Sequence, residues 1–158
     1  MVKVIADSSV IVKWVSKDNE SHLDKADKLL SDVQTEKVQL IAPELAKYEI
    51  GNAILKKGLT TPQAFQSLGT IYSLPIHYVP ETEELANLTY QMAYRARQNN
   101  VTALTYYDAS FVALAQQEGA VLVTDNPKHQ TKISDVEVIP LEKFTLDPTI
   151  SKNRARKK

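Results

Sequence analysis

The 158 residues contain no cysteine and only four glycines, and both shortages close off chemistry. Without cysteine there is no disulfide framework, no thiolate zinc site and no cysteine nucleophile, so any metal must be held by oxygen or histidine. The same absence fits a reducing compartment. Four scattered glycines supply no phosphate-cradling loop, and no serine stands in the G-x-S-x-G turn that exposes a hydrolase nucleophile. Long apolar runs are missing too. MVKVIADSS opens on one lysine and a short strand-like segment, and nothing in the chain has signal-peptide or membrane-spanning length. A soluble cytoplasmic protein is the expectation.

Charge of one sign is lacking only in the total. Nineteen Lys and Arg balance nineteen Asp and Glu, but five of the cations lie in the closing SKNRARKK, so residues 1–150 carry 14 against 19, a net −5. A broad basic surface for gripping phosphates is therefore absent from the body, and bound cations would have to invert its field locally. The basic tail reads either as a solvated end or as an electrostatic arm.

What the chain does have is a regular alternation of short apolar runs and helical patterns. Lys3–Ala6 reads as a buried strand, and Asp7-Ser8-Ser9 supplies capping side chains for a helix carrying Val10, Ile11, Trp14 and Val15. Ser21 is placed to cap a second helix with Leu23, Ala26, Leu29, Leu30 and Val33 at spacings of three and four. Val38–Ala42 is a second strand, with Pro43 at the first position of a helix that stops at Lys56, Lys57 and Gly58. Thr61-Pro62 opens a helix to about Ser73, and the proline-bounded PIHYV at 75–79 suggests an edge strand. A helix over Glu81–Gln98, another from Thr105 to Gly119, and strands at Ala120–Thr124 and Val136–Leu141 complete the pattern. Nothing divides residues 1–144, so one three-layer α/β domain with a parallel sheet is predicted there, followed by a basic tail at 145–158. A domain of this size removes about two thirds of its unfolded surface from water and needs no staple.

Four acids fall at the junctions of these units. Asp7 and Asp125 each follow a strand, where open parallel sheets place ligand-binding groups, though an N-cap or a turn explains each as well. Asp108 lies three residues after Thr105, at capping-box spacing, yet shares the packing face of Phe111, Val112 and Ala115. Glu49 sits mid-helix between Leu45 and Ala53, where no cap requires it and an unpaired carboxylate costs several kcal/mol or takes up a proton. Gathered in one place, the four would repel one another unless a divalent cation held them, and their hard oxygen donors suit Mg²⁺ or Mn²⁺. Ser8, Ser9, Thr124 and Asn126 are neighbours able to orient carboxylates or waters. His22 at a helix start, His77 in a strand and His129 in a loop make no metal spacing and look dispensable. Tyr106 and Tyr107 have two readings, base stacking or packing in the core or at the helix entry.

The words VIADSSVIVKW at Val4–Trp14, PELAKYEIGNAI at Pro43–Ile54 and TYYDASFVALAQQEGAVLVTD at Thr105–Asp125 resemble PIN-domain ribonucleases, in particular VapC-type toxins of prokaryotic toxin–antitoxin pairs. Asp7-Ser8-Ser9 is similar to the family's D-[ST]-[SN] word, Glu49 to Ala53 to its E-x-x-N-A word, and YYDASFVALA to its Y-D-A helix. One detail departs: the family usually has a residue between the threonine and the acid after the fourth strand, whereas Thr124 and Asp125 are adjacent. The resemblance covers nearly everything up to Phe144. It implies a five-stranded parallel sheet, a pocket in which Asp7, Glu49, Asp108 and Asp125 bind one or two Mg²⁺ or Mn²⁺ ions, and endonucleolytic cleavage of RNA. It also implies a homodimer neutralised by a small antitoxin. In-line attack by a water that the cation activates needs no protein nucleophile.

Two other classes share some of these features. Mg²⁺-dependent phosphatases and receiver-like domains also gather aspartates at strand ends, but Asp7 is followed by serines rather than a D-x-D word. A PIN-like module that binds nucleic acid or a partner without catalysis would not require four intact acids.

Overall fold

The computed structural model describes residues 1–128, 130–132 and 136–146; His129 and the tail from residue 147 lie outside the described residues. Five parallel strands form one sheet in the order β3-β2-β1-β4-β5. They are β1 (Val2–Ala6), β2 (Val38–Pro43), β3 (His77–Val79), β4 (Val121–Thr124) and β5 (Val138–Pro140). Between them run α1 (Ser8–Val15), α2 (Leu23–Gln34), α3 (Leu45–Lys56), α4 (Thr61–Ser73), α5 (Glu83–Gln98) and α6 (Tyr106–Glu118).

Central β1 pairs with β2 through Val4 opposite Leu40 and with β4 through Ile5 opposite Leu122. Its Val4, Ile5 and Ala6 are fully buried, which is why the run is continuously apolar rather than alternating. Successive crossovers β1 to β2 and β2 to β3 step one way across the sheet, whereas the crossover from β3 to β4 steps back. Right-handed connections then put α1–α4 on one face and α5–α6 on the other. The packing agrees: α1 meets α2, α3 and α4, while α5 and α6 pair together and α6 lies against β1, β2 and β4. Because the chain leaves β1 toward one edge and β4 toward the other, a crevice opens between their carboxyl ends.

The expected strands and helices are all present, with differences at their ends. Pro43 is the last residue of β2, opposite Val79, and not the first of α3. The next ladder bond comes from the Glu44 amide to the Val79 carbonyl at 3.0 Å, so the missing proline donor falls at the strand's end. Helix α2 is capped not by Ser21 but by His22, which takes a left-handed conformation with φ 54°. Thr82, whose hydroxyl accepts from the Leu85 amide, starts α5 two residues later than expected. Among the described residues no helix is long and apolar enough to cross a membrane.

Gly119 ends α6 with φ 61°, and a β-carbon there would meet no atom within 4 Å. Its requirement is conformational rather than steric. Gly119→Ala is therefore expected to cost about 1 kcal/mol by urea unfolding, the penalty for a left-handed alanine; a neutral result would show that α6 ends in another way.

Candidate active site

Asp7 stands in the crevice because β1 has not finished pairing when the chain reaches it. Its amide still donates to Val123 of β4 at 3.0 Å, after which the chain turns into α1. As N-cap of α1 its Oδ1 accepts from the Ser9 amide at 2.8 Å, and its Oδ2 accepts from Gln130 Nε2 at 2.8 Å. One carboxylate thus both caps α1 and receives the buried Gln130 amide. Burial pushes its pKa up, the Ser9 and Gln130 donors offset part of that rise, and the charge of Asp108 adds to it.

Asp108 is likewise a cap whose charge is felt by the other acids. It closes the capping box predicted for α6, accepting from the Thr105 amide through Oδ2 at 3.2 Å while its own amide donates to Thr105 Oγ1 at 3.1 Å. Glu49 reaches the same place from the middle of α3, half-buried, with Oε1 accepting from Ser8 Oγ at 2.8 Å. Burial raises its pKa, Ser8 lowers it, and the charges of Asp7 and Asp108 raise it again. Three carboxylates from three separate segments therefore share one electrostatic environment. They do not close into a cage: among the described residues no three acidic or histidine groups stand together at metal-ligand spacing. Each carboxylate is held by its own donor, Ser9 and Gln130 for Asp7, Thr105 for Asp108 and Ser8 for Glu49.

Asp125 is placed differently from the expectation of a fourth ligand. Its carboxylate is turned into an ion-pair network, with Oδ2 2.8 Å from Lys13 Nζ and Oδ1 2.9 Å from His22 Nδ1. The cause is Lys13, whose side chain is only 2% exposed and which also donates to the Ser21 carbonyl at 2.7 Å. A buried ammonium requires a counter-charge, and among the described residues Asp125 is the carboxylate nearest to it. The only hint of this in the sequence is a lone lysine inside the apolar run VIVKWV. His22 extends the network, its other nitrogen lying 3.6 Å from Glu142.

The neighbouring hydroxyls also divide their work. Ser9 Oγ accepts from the Asp125 amide at 3.0 Å and Thr124 Oγ1 from the Asn126 amide at 3.1 Å, so both hold the loop backbone after β4 rather than a carboxylate. Ser8 is the hydroxyl that orients an acid. Gln130, buried in a short 3₁₀ turn at Gln130–Lys132, was given no role by its sequence context, yet it touches Asp7 directly. Tyr106 and Tyr107 are not packed in the core: both are exposed, and Tyr106 donates to Glu81 at 2.7 Å, which pushes its hydroxyl up to about 12.

A carboxylate whose folded pKa is raised favours its protonated form in the folded chain, so its cost to stability is absent below the ordinary carboxylate range and complete above the raised value. In chelator, Asp7→Asn is therefore expected to be more stable than the parent, by a margin that widens as pH rises from about 4. A margin independent of pH in urea unfolding would contradict the burial of that charge. For the second network, Lys13→Met is expected to destabilise by roughly 3 kcal/mol, because it leaves Asp125 without its main counter-charge. Adding Asp125→Ala should recover part of the loss. If the double variant were no better than additive, the pair would not be coupled.

The model of the family described as "PIN domain" matches residues 4–135. No curated protein sequence matches the chain. Among solved structures, VapBC2 from Rickettsia felis, bound to a DNA fragment from their promoter, aligns with TM-score 0.68 and 14% identity over 88% of this chain and 98% of its own. A toxin–antitoxin complex from Klebsiella pneumoniae gives 0.61 and 16% over 87% and 97%. Mycobacterium tuberculosis VapC20, a sarcin–ricin loop cleaving toxin, gives 0.61 and 11% over 84% and 98%. These identities carry the fold alone, but the family model spans both faces of the sheet and every acid of the crevice, and the chain belongs to the PIN domain family.

Proposed function

We propose that this protein is a divalent-cation-dependent endoribonuclease and the toxin of a toxin–antitoxin pair. The observation that carries the reading is the convergence of Asp7, just after β1, with Glu49 of α3 and Asp108 of α6 at the crevice where the crossovers diverge. Carboxylates crowded enough for the charge of Asp108 to raise the proton affinity of Asp7 and Glu49 are poor partners for an RNA phosphate and good ones for a hard cation. The donor set fits Mg²⁺ or Mn²⁺, since it offers oxygen alone. The family and the toxins of similar fold support the same conclusion.

Asp7, Asp108 and Glu49 would hold the cation. When bound, it supplies Lewis acidity that activates water and screens the charge developing on the phosphate. The chain's own contribution is positioning. Ser9 and Gln130 fix Asp7, the capping box fixes Asp108, and Ser8 fixes Glu49. Glu49, oriented by Ser8 Oγ, is the carboxylate proposed to take the proton of the attacking water. Asp125 enters this reading as the counter-charge of Lys13, fixing the loop after β4, rather than as a ligand. For protein partners, α3 and α4 pack together and expose Tyr48, Leu55, Phe65 and Tyr72, the residue types that interfaces favour. An antitoxin and a second copy of the chain are the partners proposed.

Cleavage of single-stranded and structured RNA is expected with Mg²⁺ or Mn²⁺, lost in EDTA and restored by excess cation. Asp108→Ala and Asp7→Asn should each lower the rate by about 100-fold or more while leaving the fold intact by circular dichroism. Cleavage that survives chelation would overturn the cation dependence. A folded parent that cuts no RNA under any of these conditions would leave a silent binding module in its place.

A further inference from the structure

Gln130 combines three features found together at no other described residue of the crevice. Its side chain is 2% exposed, Nε2 donates to Asp7 Oδ2 at 2.8 Å, and Oε1 is buried with no hydrogen-bond partner. The orientation follows from chemistry, because turning the amide over would set a carbonyl oxygen against a carboxylate oxygen. Nε2 also lies 3.5 Å from the main-chain carbonyl of Asp108. One amide therefore spans the end of β1 and the first turn of α6, the segments that carry two of the three carboxylates.

The turn that presents it is itself anchored. Thr131 donates to the Pro127 carbonyl from its amide at 3.1 Å and from its hydroxyl at 2.9 Å, and the turn packs on α6. Gln130 thus approaches Asp7 from the α6 side, whereas Ser9 approaches from α1. With a donor on each oxygen, Asp7 is held in one rotamer, and each oxygen keeps a lone pair for a ligand. Pure structural filling accounts for the Nε2 contact but not for the orphaned acceptor. A buried carbonyl without a donor is a cost, which is removed when a donor such as the hydration shell of a cation arrives beside Asp7.

We propose that Gln130 is a positioning residue of the cation site: its amide nitrogen locks Asp7 relative to Asp108, and its Oε1 receives a hydrogen bond from water carried in by the cation. The proposal rests on the ribonuclease reading above. It acts through Asp7 and does not require Gln130 to touch RNA.

The test compares the full chain with Gln130→Met, which keeps the length and loses both hydrogen-bonding groups, and with Gln130→Asn, which keeps the amide and falls short. Mn²⁺ affinity is measured by calorimetry without RNA, and kcat and KM are measured on RNA at saturating Mn²⁺. Both variants are expected to be folded and to bind Mn²⁺ about 10-fold or more weakly, as loss of a group orienting a ligand does. Their kcat should fall while KM for RNA stays within about twofold, since the amide positions a carboxylate and not the substrate. A folded variant with the parent's Mn²⁺ affinity and kcat would overturn the proposal. So would failure of both variants to fold, which would assign Gln130 to stability. Should the parent itself bind no Mn²⁺ and cut no RNA, the ribonuclease reading fails and takes this one with it; a binding, cleaving parent with unaffected variants sinks this one alone.

Discussion

Everything distinctive about this molecule follows from placing negative charge at the carboxyl ends of buried parallel strands. The crevice between β1 and β4 exists because the crossovers leave in opposite directions, and Asp7 fills its floor while its amide is still paired with β4. Burial makes that charge costly, and Asp108 and Glu49 add repulsion. The fold answers with donors aimed one by one at the acids: a backbone amide, a serine hydroxyl, a capping box and a buried glutamine. Each acid is thereby fixed by its own donor, and the set offers oxygen alone, the donor type that the proposed cation would require.

A second electrostatic unit lies beside the first and keeps a fourth carboxylate apart from it. Lys13 is buried in α1, and its ammonium meets Asp125 and the Ser21 carbonyl, while His22 holds the other oxygen of Asp125. The two networks share a backbone, because Ser9 donates its amide to Asp7 and receives the amide of Asp125 on its hydroxyl. One residue of α1 therefore ties Asp7 to the loop that carries Asp125.

Much of the fold was legible in the sequence because its signals are local. Apolar runs such as VIA at the end of β1 and VLVT in β4 identify strands buried on both faces, and the Thr105–Asp108 spacing and Gly119 mark the two ends of α6 without reference to anything distant. The misreadings were local too. Pro43 suits a helix start as well as a strand end, and only the register with Val79 decides between them. Ser21 is a better capping residue than His22 by type, but Ser21's carbonyl is claimed by Lys13 and the chain turns left-handed at His22.

The candidate site divides along the same line. Residue type and position by themselves determined that Asp7 follows a strand, Asp108 opens a helix and Glu49 lies within one, since helix periodicity and strand ends are set within a few residues of chain. Tertiary structure alone decided which acids share a pocket and what holds each of them. Asp125 was captured by a lysine from another element, and Gln130 arrived from a 3₁₀ turn with no signature of its own. The physical reason is that a buried charge selects its partner by proximity in the packed molecule, and that proximity is created by the crossovers, not by spacing along the chain.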